Sequence, residues 1–366
     1  MDKATAELSR QIGRGREARS PIEIPVPGWK DIFYRVFMSI MRDRILLTAA
    51  GVTFYFLLAL VPTLNAFISI YGLFNDRANV IDHVDLLVGI VPPGGLDIIR
   101  EQLLRLASQG NEALGLTLIT SLAIAFWSAG AGIRAMFEAM NIAYQEQEKR
   151  QFFVVHALAL LFTFAGAIAA LLVVSTVVVV PLLLDLFAAE GSFEWLVRVS
   201  SYGAMLLVLL VGICALYRWG PSREKAKWHW ITPGAFVAVV LLGVASFLFS
   251  WYLANFTDYG AAYGSLGALI GFLTWIWISV TLVIIGAQLN SEIEHQTAQD
   301  STTGPELPLG ERGAYMADSV GRVWPPDRRR LRTVTRPERD PVSLGMIALT
   351  MASVIVLSIV QRGRDR

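Results

Sequence analysis

Residues 264–289 read GSLGALIGFLTWIWISVTLVIIGAQL, a run without one charged side chain. A helix rises about 1.5 Å per residue, so about 20 apolar residues cross a hydrocarbon core of about 30 Å. This run is longer than that and does not alternate with a period of two, so it reads as a spanning helix rather than a barrel strand. Similar runs lie at 46–74, 114–133, 152–184, 196–217 and 232–254, and a seventh candidate lies at 342–360. Composition agrees, since the chain is 54% hydrophobic and only 17% charged over 366 residues, far less charged than soluble domains of this length. The expected fold class is all-α: a polytopic membrane bundle of six core helices, an extra helix near the carboxyl end, and interfacial amphipathic helices. The first long apolar run begins too late for a cleavable signal, so the first helix is expected to stay.

Basic residues near span ends are retained on the cytoplasmic side. The amino-terminal segment holds nine (Lys3, Arg10, Arg14, Arg16, Arg19, Lys30, Arg35, Arg42 and Arg44), and the loop 218–231 holds Arg218, Arg223, Lys225 and Lys227. The loops 185–195 and 255–263 hold none, which puts the amino terminus inside and these two loops outside. A net charge of +1 hides this asymmetry.

Residues 1–28 read as a disordered cytoplasmic amino terminus. In 29–45, Trp29, Ile32, Phe33, Val36, Phe37, Ile40 and Met41 share one helical face, and Lys30, Asp31, Arg35, Arg42 and Asp43 lie mostly on the other. That pattern predicts a helix lying in the membrane interface, or one that docks a cytoplasmic partner. The transmembrane domain is expected over 46–290, with an outer amphipathic hairpin at 78–108 that breaks at the PPGG of 92–95 and acts as a lid or a gate. Residues 291–341, rich in Arg and Pro, read as a flexible cytoplasmic linker, with DRRRLR at 327–332 able to hold anionic headgroups. Residues 361–366 form a short basic tail after the extra helix.

Few side chains suggest chemistry. The lone Cys214 permits no intrachain disulfide, and four scattered histidines show no ligand spacing, so neither a metal nor a cofactor is expected. The polar residues within or beside spans are the candidates. Arg134, Glu138 and Asn141 recur at helical spacing within FWSAGAGIRAMFEAMN (126–141). Either Arg134 anchors the helix at the inner boundary and pairs with Glu138, or all three point into the bundle toward a polar or anionic group. Tyr55 and Asn65 flank Pro62, which frees a backbone carbonyl and is expected to kink the first span. Gly260 with Gly264, and Gly267 with Gly271, have the four-residue spacing that lets helices approach in lipid. Thr232, Pro233 and Gly234 read as the N-cap and first turn of the fifth span.

Four blocks together resemble a known family: AAGVTFYFLLALVP (49–62), FWSAGAGIRAMFEAMNIAY (126–144), LYRWGPSREKAKWHWITPGAF (216–236) and NFTDYGAAYGSLGALIGFLTWIWISVTLVIIGAQLNSEIE (255–294). In order and spacing they are similar to the YihY/BrkB family of bacterial inner-membrane proteins, formerly labelled ribonuclease BN. The resemblance covers about 30–295 and implies a six-helix core with cytoplasmic termini.

Three functions follow as expectations. One is a transporter or flippase-like protein for an amphiphilic or anionic envelope component, supported by the kink and the Arg134 candidate. A second is a non-transporting scaffold for envelope assembly. The third, the nuclease of the older label, is disfavoured because Asp76, Asp185, Asp258 and Glu292 are dispersed along the chain, whereas phosphodiester hydrolysis needs clustered metal ligands. Membrane lipids and other envelope proteins are the expected partners, and nucleic acid is not.

Overall fold

The computed structural model describes residues 11–74, 114–186, 192–256 and 266–324. The outer hairpin 78–108, Gly260, Gly264, the 327–332 arginine run and the 342–360 candidate lie outside the described residues. Residues 1–322 form one compact unit; of a second, 323–366, only residues 323 and 324 are described.

Seven long helices are described: α1 (Val26–Arg42), α2 (Ile45–Phe74), α3 (Leu114–Ala143), α4 (Phe152–Leu186), α5 (Ser192–Trp219), α6 (Trp228–Phe256) and α7 (Leu266–Glu294). No strand occurs among the described residues, and the protein is an all-α membrane bundle. From α2 to α7 each helix packs on the next, and α7 closes on α2, so six helices form a ring. Their outer faces carry exposed apolar side chains, among them Leu161, Phe164 and Leu172 on α4 and Phe247, Leu248 and Trp251 on α6. In the most apolar stretch of α4 only 6% of residues are buried in the protein. Such a surface is stable only against lipid.

The core lies toward one end of the ring. Ile45, Ala49 and Val52 of α2 meet Met136, Ala139 and Met140 of α3, Ile213 and Tyr217 of α5, Ile231 and Ala235 of α6, and Ile284 and Ala287 of α7. Small residues facing large ones let this layer interdigitate. The helices of the ring extend past the sequence-based spans at this end: α3 runs to Ala143 rather than Ile133, and α7 to Glu294 rather than Leu289.

Helix α1 bends from α2 by 61° at the Asp43–Arg44 break. Arg44 has a φ of 50°, a left-handed conformation that no helix continues through. The expected face assignment of α1 is half reversed. Phe33, Phe37 and Met41 are exposed, as an interfacial helix requires, but Asp31 and Arg35 are buried with Ile32, Val36 and Ser39 against α7 and its extension. A charged face docks as well as it solvates when its partner supplies opposite charges.

Two further expectations are corrected. Residues 11–28 are not disordered: Arg16 is buried and donates from Nη1 to the Gln296 carbonyl at 2.9 Å and from Nη2 to the Gly321 carbonyl at 2.7 Å. Burial, with Arg35 nearby, lowers its pKa to about 10. Residues 291–324 are not a flexible linker. Arg312 donates to the carbonyls of Leu307, Gln299, Ala317 and Ala298 at 2.7–3.1 Å, and so folds 298–318 around one guanidinium. Arginine's planar fork of five donors does this; a Pro- and Arg-rich composition gives no sign of it.

Candidate functional site

At the closed end, the block GAQLNSEIE (286–294) ties three parts of the chain together. Gly286 of α7 faces Gly234 of α6 so closely that a Cβ on Gly286 would lie 2.7 Å from the Gly234 carbonyl oxygen. Helix α6 begins at Trp228, not at Thr232, so Thr232 and Pro233 sit inside it. Asn290 serves the backbone near Pro233, accepting from Gly234 N at 2.7 Å and donating to the Ile231 carbonyl at 2.6 Å. Glu292 receives Arg35 Nε at 2.6 Å, and the same guanidinium donates to the Glu292 and Arg322 carbonyls at 3.0 and 2.9 Å. Glu294 receives Arg223 Nη2 at 2.6 Å, with both side chains almost wholly buried. These carboxylates hold the end of the bundle together.

Asn141 belongs to this scaffolding and not to a site with Arg134. It is buried, accepts from Ser222 N at 2.7 Å and donates to Glu148 at 3.1 Å. Arg150 grips Glu148 in turn, with Nη2 to Oε2 at 2.7 Å and Nε to Oε1 at 2.8 Å, and donates to the carbonyls of Trp219 and Gly220. Hydrogen bonds from Arg150 hold the Glu148 carboxyl down at about 2. A depressed carboxyl contributes stability that is complete above its unfolded value near 4.5 and is lost as pH falls toward 2. Amides of 145–151 and 220–223 are therefore expected to lose hydrogen-exchange protection, corrected for intrinsic rate, between about pH 4.5 and 2. Glu148→Gln should already show the loss at pH 7. Protection unchanged down to pH 2.5 would contradict the clamp.

Arg134 and Glu138 do come together with Tyr55, in a groove between α2 and α3 of about 410 Å³. Thr48, Gly51, Val52, Tyr55, Ala131, Arg134, Ala135 and Glu138 line it. Helical side chains lean toward the amino end of their helix. Arg134 accordingly reaches back over Gly130, where a Cβ would lie 3.3 Å from its Nη1, and over the Trp127 ring at 5.8 Å. It points away from the closed end, which it would have to approach to snorkel to the nearer interface. Nine residues separate it from Ala143, about 14 Å along the helix. Among the described residues, neither Arg134 nor Glu138 forms an ion pair, and the expected pair between them is not made. Met136, Phe137 and Met140 pack inward and are buried. Helix α2 continues through Pro62, and the side chains of Pro62 and Asn65 lie outside the described part.

The glycine expectations shift as well. Gly271 has room for a methyl group, its nearest neighbour being Leu253 Cδ2 at 3.9 Å from a built Cβ, while the tight approach is at Gly234 and Gly286. Gly267 is buried.

A ring of lipid-facing helices, closed at one end by buried ion pairs, defines a multi-pass α-helical membrane protein. The chain belongs to the BrkB family: the family profile described as Virulence factor BrkB matches residues 36–308. It is 28% identical over 272 residues to the ribonuclease-like protein YfkH of Bacillus subtilis, covering 72% of this chain and 93% of that one. It is 29% identical over 270 residues to a UPF0761 membrane protein of Neisseria meningitidis serogroup B, covering 69% of this chain and 61% of that longer relative. A UPF0761 membrane protein of Pseudoalteromonas translucida is 23% identical over 293 residues, covering 78% and 91%. No solved structure matches.

Proposed function

We propose that this membrane protein moves an amphiphilic or anionic envelope component across the bacterial inner membrane, with its closed end in the cytoplasm. The observation that carries the reading is Arg134, a cation with no carboxylate partner among the described residues, in a groove between α2 and α3. An ionisable group within a span is costly and marks a path for polar cargo. The concentration of Lys30, Arg35, Arg42, Arg44, Arg218 and Arg223 at the closed end supports the orientation.

A scaffold for envelope assembly is the second reading, favoured by the folded cap of 11–42 and 295–322, which offers a built surface to other envelope proteins. We propose no nuclease activity and no nucleic-acid partner. Asp31, Glu292 and Glu294 are each engaged by an arginine rather than grouped with one another.

Arg134→Lys and Arg134→Ala decide between cargo site and anchor in cells. Lys keeps the charge but not the planar fork. The proposal expects both variants to insert normally and to fail in an envelope-stress readout, Ala more completely. Glu138 is exposed, so Arg134→Ala leaves no buried carboxylate and should express well. Wild-type behaviour of both variants would leave Arg134 as an anchor only.

A further inference from the structure

We propose that the α2–α3 groove receives the headgroup of a membrane phospholipid in which a phosphate is joined to an ammonium. This rests on the reading of the groove as a cargo site and names the class of cargo.

The polar groups that face the groove are Thr48 and Tyr55 from α2 and Arg134 and Glu138 from α3. Residues four apart on a helix lie on one face, about 6 Å apart. Arg134 and Glu138 are thus placed to meet, yet form no ion pair. The groove therefore presents a donor fork, turned toward Gly130 and Trp127, and an acceptor on the same face of α3. Phosphate suits the fork, which binds its oxygens in two parallel hydrogen bonds. A primary ammonium suits Glu138, because it brings three donors to an acceptor-only group. A phosphate and an ammonium joined in one headgroup offer each side chain its complement at once. A purely anionic headgroup would satisfy Arg134 and set like charge against Glu138, and a cationic one the reverse.

The surroundings select a lipid as the source. Leu47, Phe54 and Leu58 on α2, and Ile124 and Trp127 on α3, belong to the two helices that form the groove and are exposed on the apolar surface of the bundle. The remaining walls are small, at Gly51, Ala131 and Ala135, which admits a headgroup between the two helices. Thr48 and Tyr55 lie within about three turns of the start of α2 at Ile45. The polar floor thus begins near the end of the span at Thr48 and reaches about 15 Å into it at Tyr55, so a headgroup enters from the interface while the exposed apolar residues on the same helices meet acyl chains.

The test is lipid retention by the purified full-length protein, measured by native mass spectrometry after equilibration with equal amounts of phosphatidylethanolamine and phosphatidylglycerol. Wild type is expected to retain the ethanolamine lipid about tenfold over the glycerol lipid, as one charge-assisted hydrogen bond implies. Glu138→Gln should erase that preference, and Arg134→Gln should lower retention of both lipids. Thermal midpoints establish that the variants are folded, and should Arg134→Gln not fold, Glu138→Gln decides alone. Equal retention of both lipids by wild type, or a preference that survives Glu138→Gln, would overturn the inference. Lipid movement in vesicles without headgroup preference would overturn it and leave the transport reading standing. Selective retention without movement would do the opposite.

Discussion

Gly286→Ala is expected to remove most of the folded protein from a detergent extract, although it adds one methyl group. The new Cβ would meet the Tyr217 hydroxyl, the Gly234 carbonyl oxygen at 2.7 Å and Ala238 Cβ at 2.8 Å. Two of these belong to α6, and one of them is backbone, so rotamer changes cannot relieve the overlap and α6 must move off α7. Overpacking costs about 1–3 kcal/mol where side chains can yield, and more where they cannot. The separation also loosens the Asn290 bonds to Gly234 and Ile231 and the Tyr217 bond to the Val283 carbonyl. Each buried group left unsatisfied adds about 1–3 kcal/mol. Gly271→Ala is the control, because its methyl would meet only Leu253 Cδ2 at 3.9 Å. Fluorescence-detected size exclusion should show the monodisperse peak lost for Gly286→Ala and kept for Gly271→Ala. Equal peaks would mean that α6 and α7 do not approach at Gly234.

Glu292→Ala should be nearly as damaging by a different route. Arg35 is buried beneath the cap, and Glu292 is its only carboxylate among the described ion pairs. Removing one partner of a buried pair leaves an uncompensated charge, which costs about 3–5 kcal/mol. Ser39 and His295, which also reach Glu292 at 3.4 and 3.2 Å, lose that partner as well. Proteolysis should then cut within 295–322, where Arg35 and Arg16 bind the carbonyls of Arg322 and Gly321. The double change Arg35→Met with Glu292→Leu should recover much of the loss, since an apolar pair of similar volume often replaces a buried ion pair. An unaltered thermal midpoint for Glu292→Ala would show that the pair contributes little.

How far the sequence carries can be seen at α7 and α1. The charge-free run of 264–289 announces its helix because burial in lipid is decided by composition over a local window. The same holds for the other five core helices, whose ends moved by at most about ten residues. Helix α1 was legible as a helix but not as to its faces, since Arg35 finds Glu292 across 257 residues and periodicity carries no information about so distant a partner. The cap was illegible for a related reason. Arg16 and Arg312 bind backbone carbonyls, which every residue has, so no residue type at any spacing signals the contact. At the groove, helical spacing did bring Arg134 to Glu138, and Tyr55 joined them because α2 packs on α3. The same spacing wrongly enlisted Asn141, which lies a turn too near the closed end and is claimed by Ser222.

In the proposed function, the groove at Arg134 carries an amphiphile across the bilayer. Purified protein reconstituted in liposomes with a fluorescent phospholipid in both leaflets, followed by quenching of the outer leaflet, measures that movement directly. Wild type is expected to make the inner-leaflet lipid accessible to the quencher well beyond the protein-free rate. Arg134→Ala, reconstituted to equal density, is expected to return the rate close to that of empty vesicles. A wild-type rate equal to that of empty vesicles, or an Arg134→Ala rate equal to wild type, would contradict the proposed function.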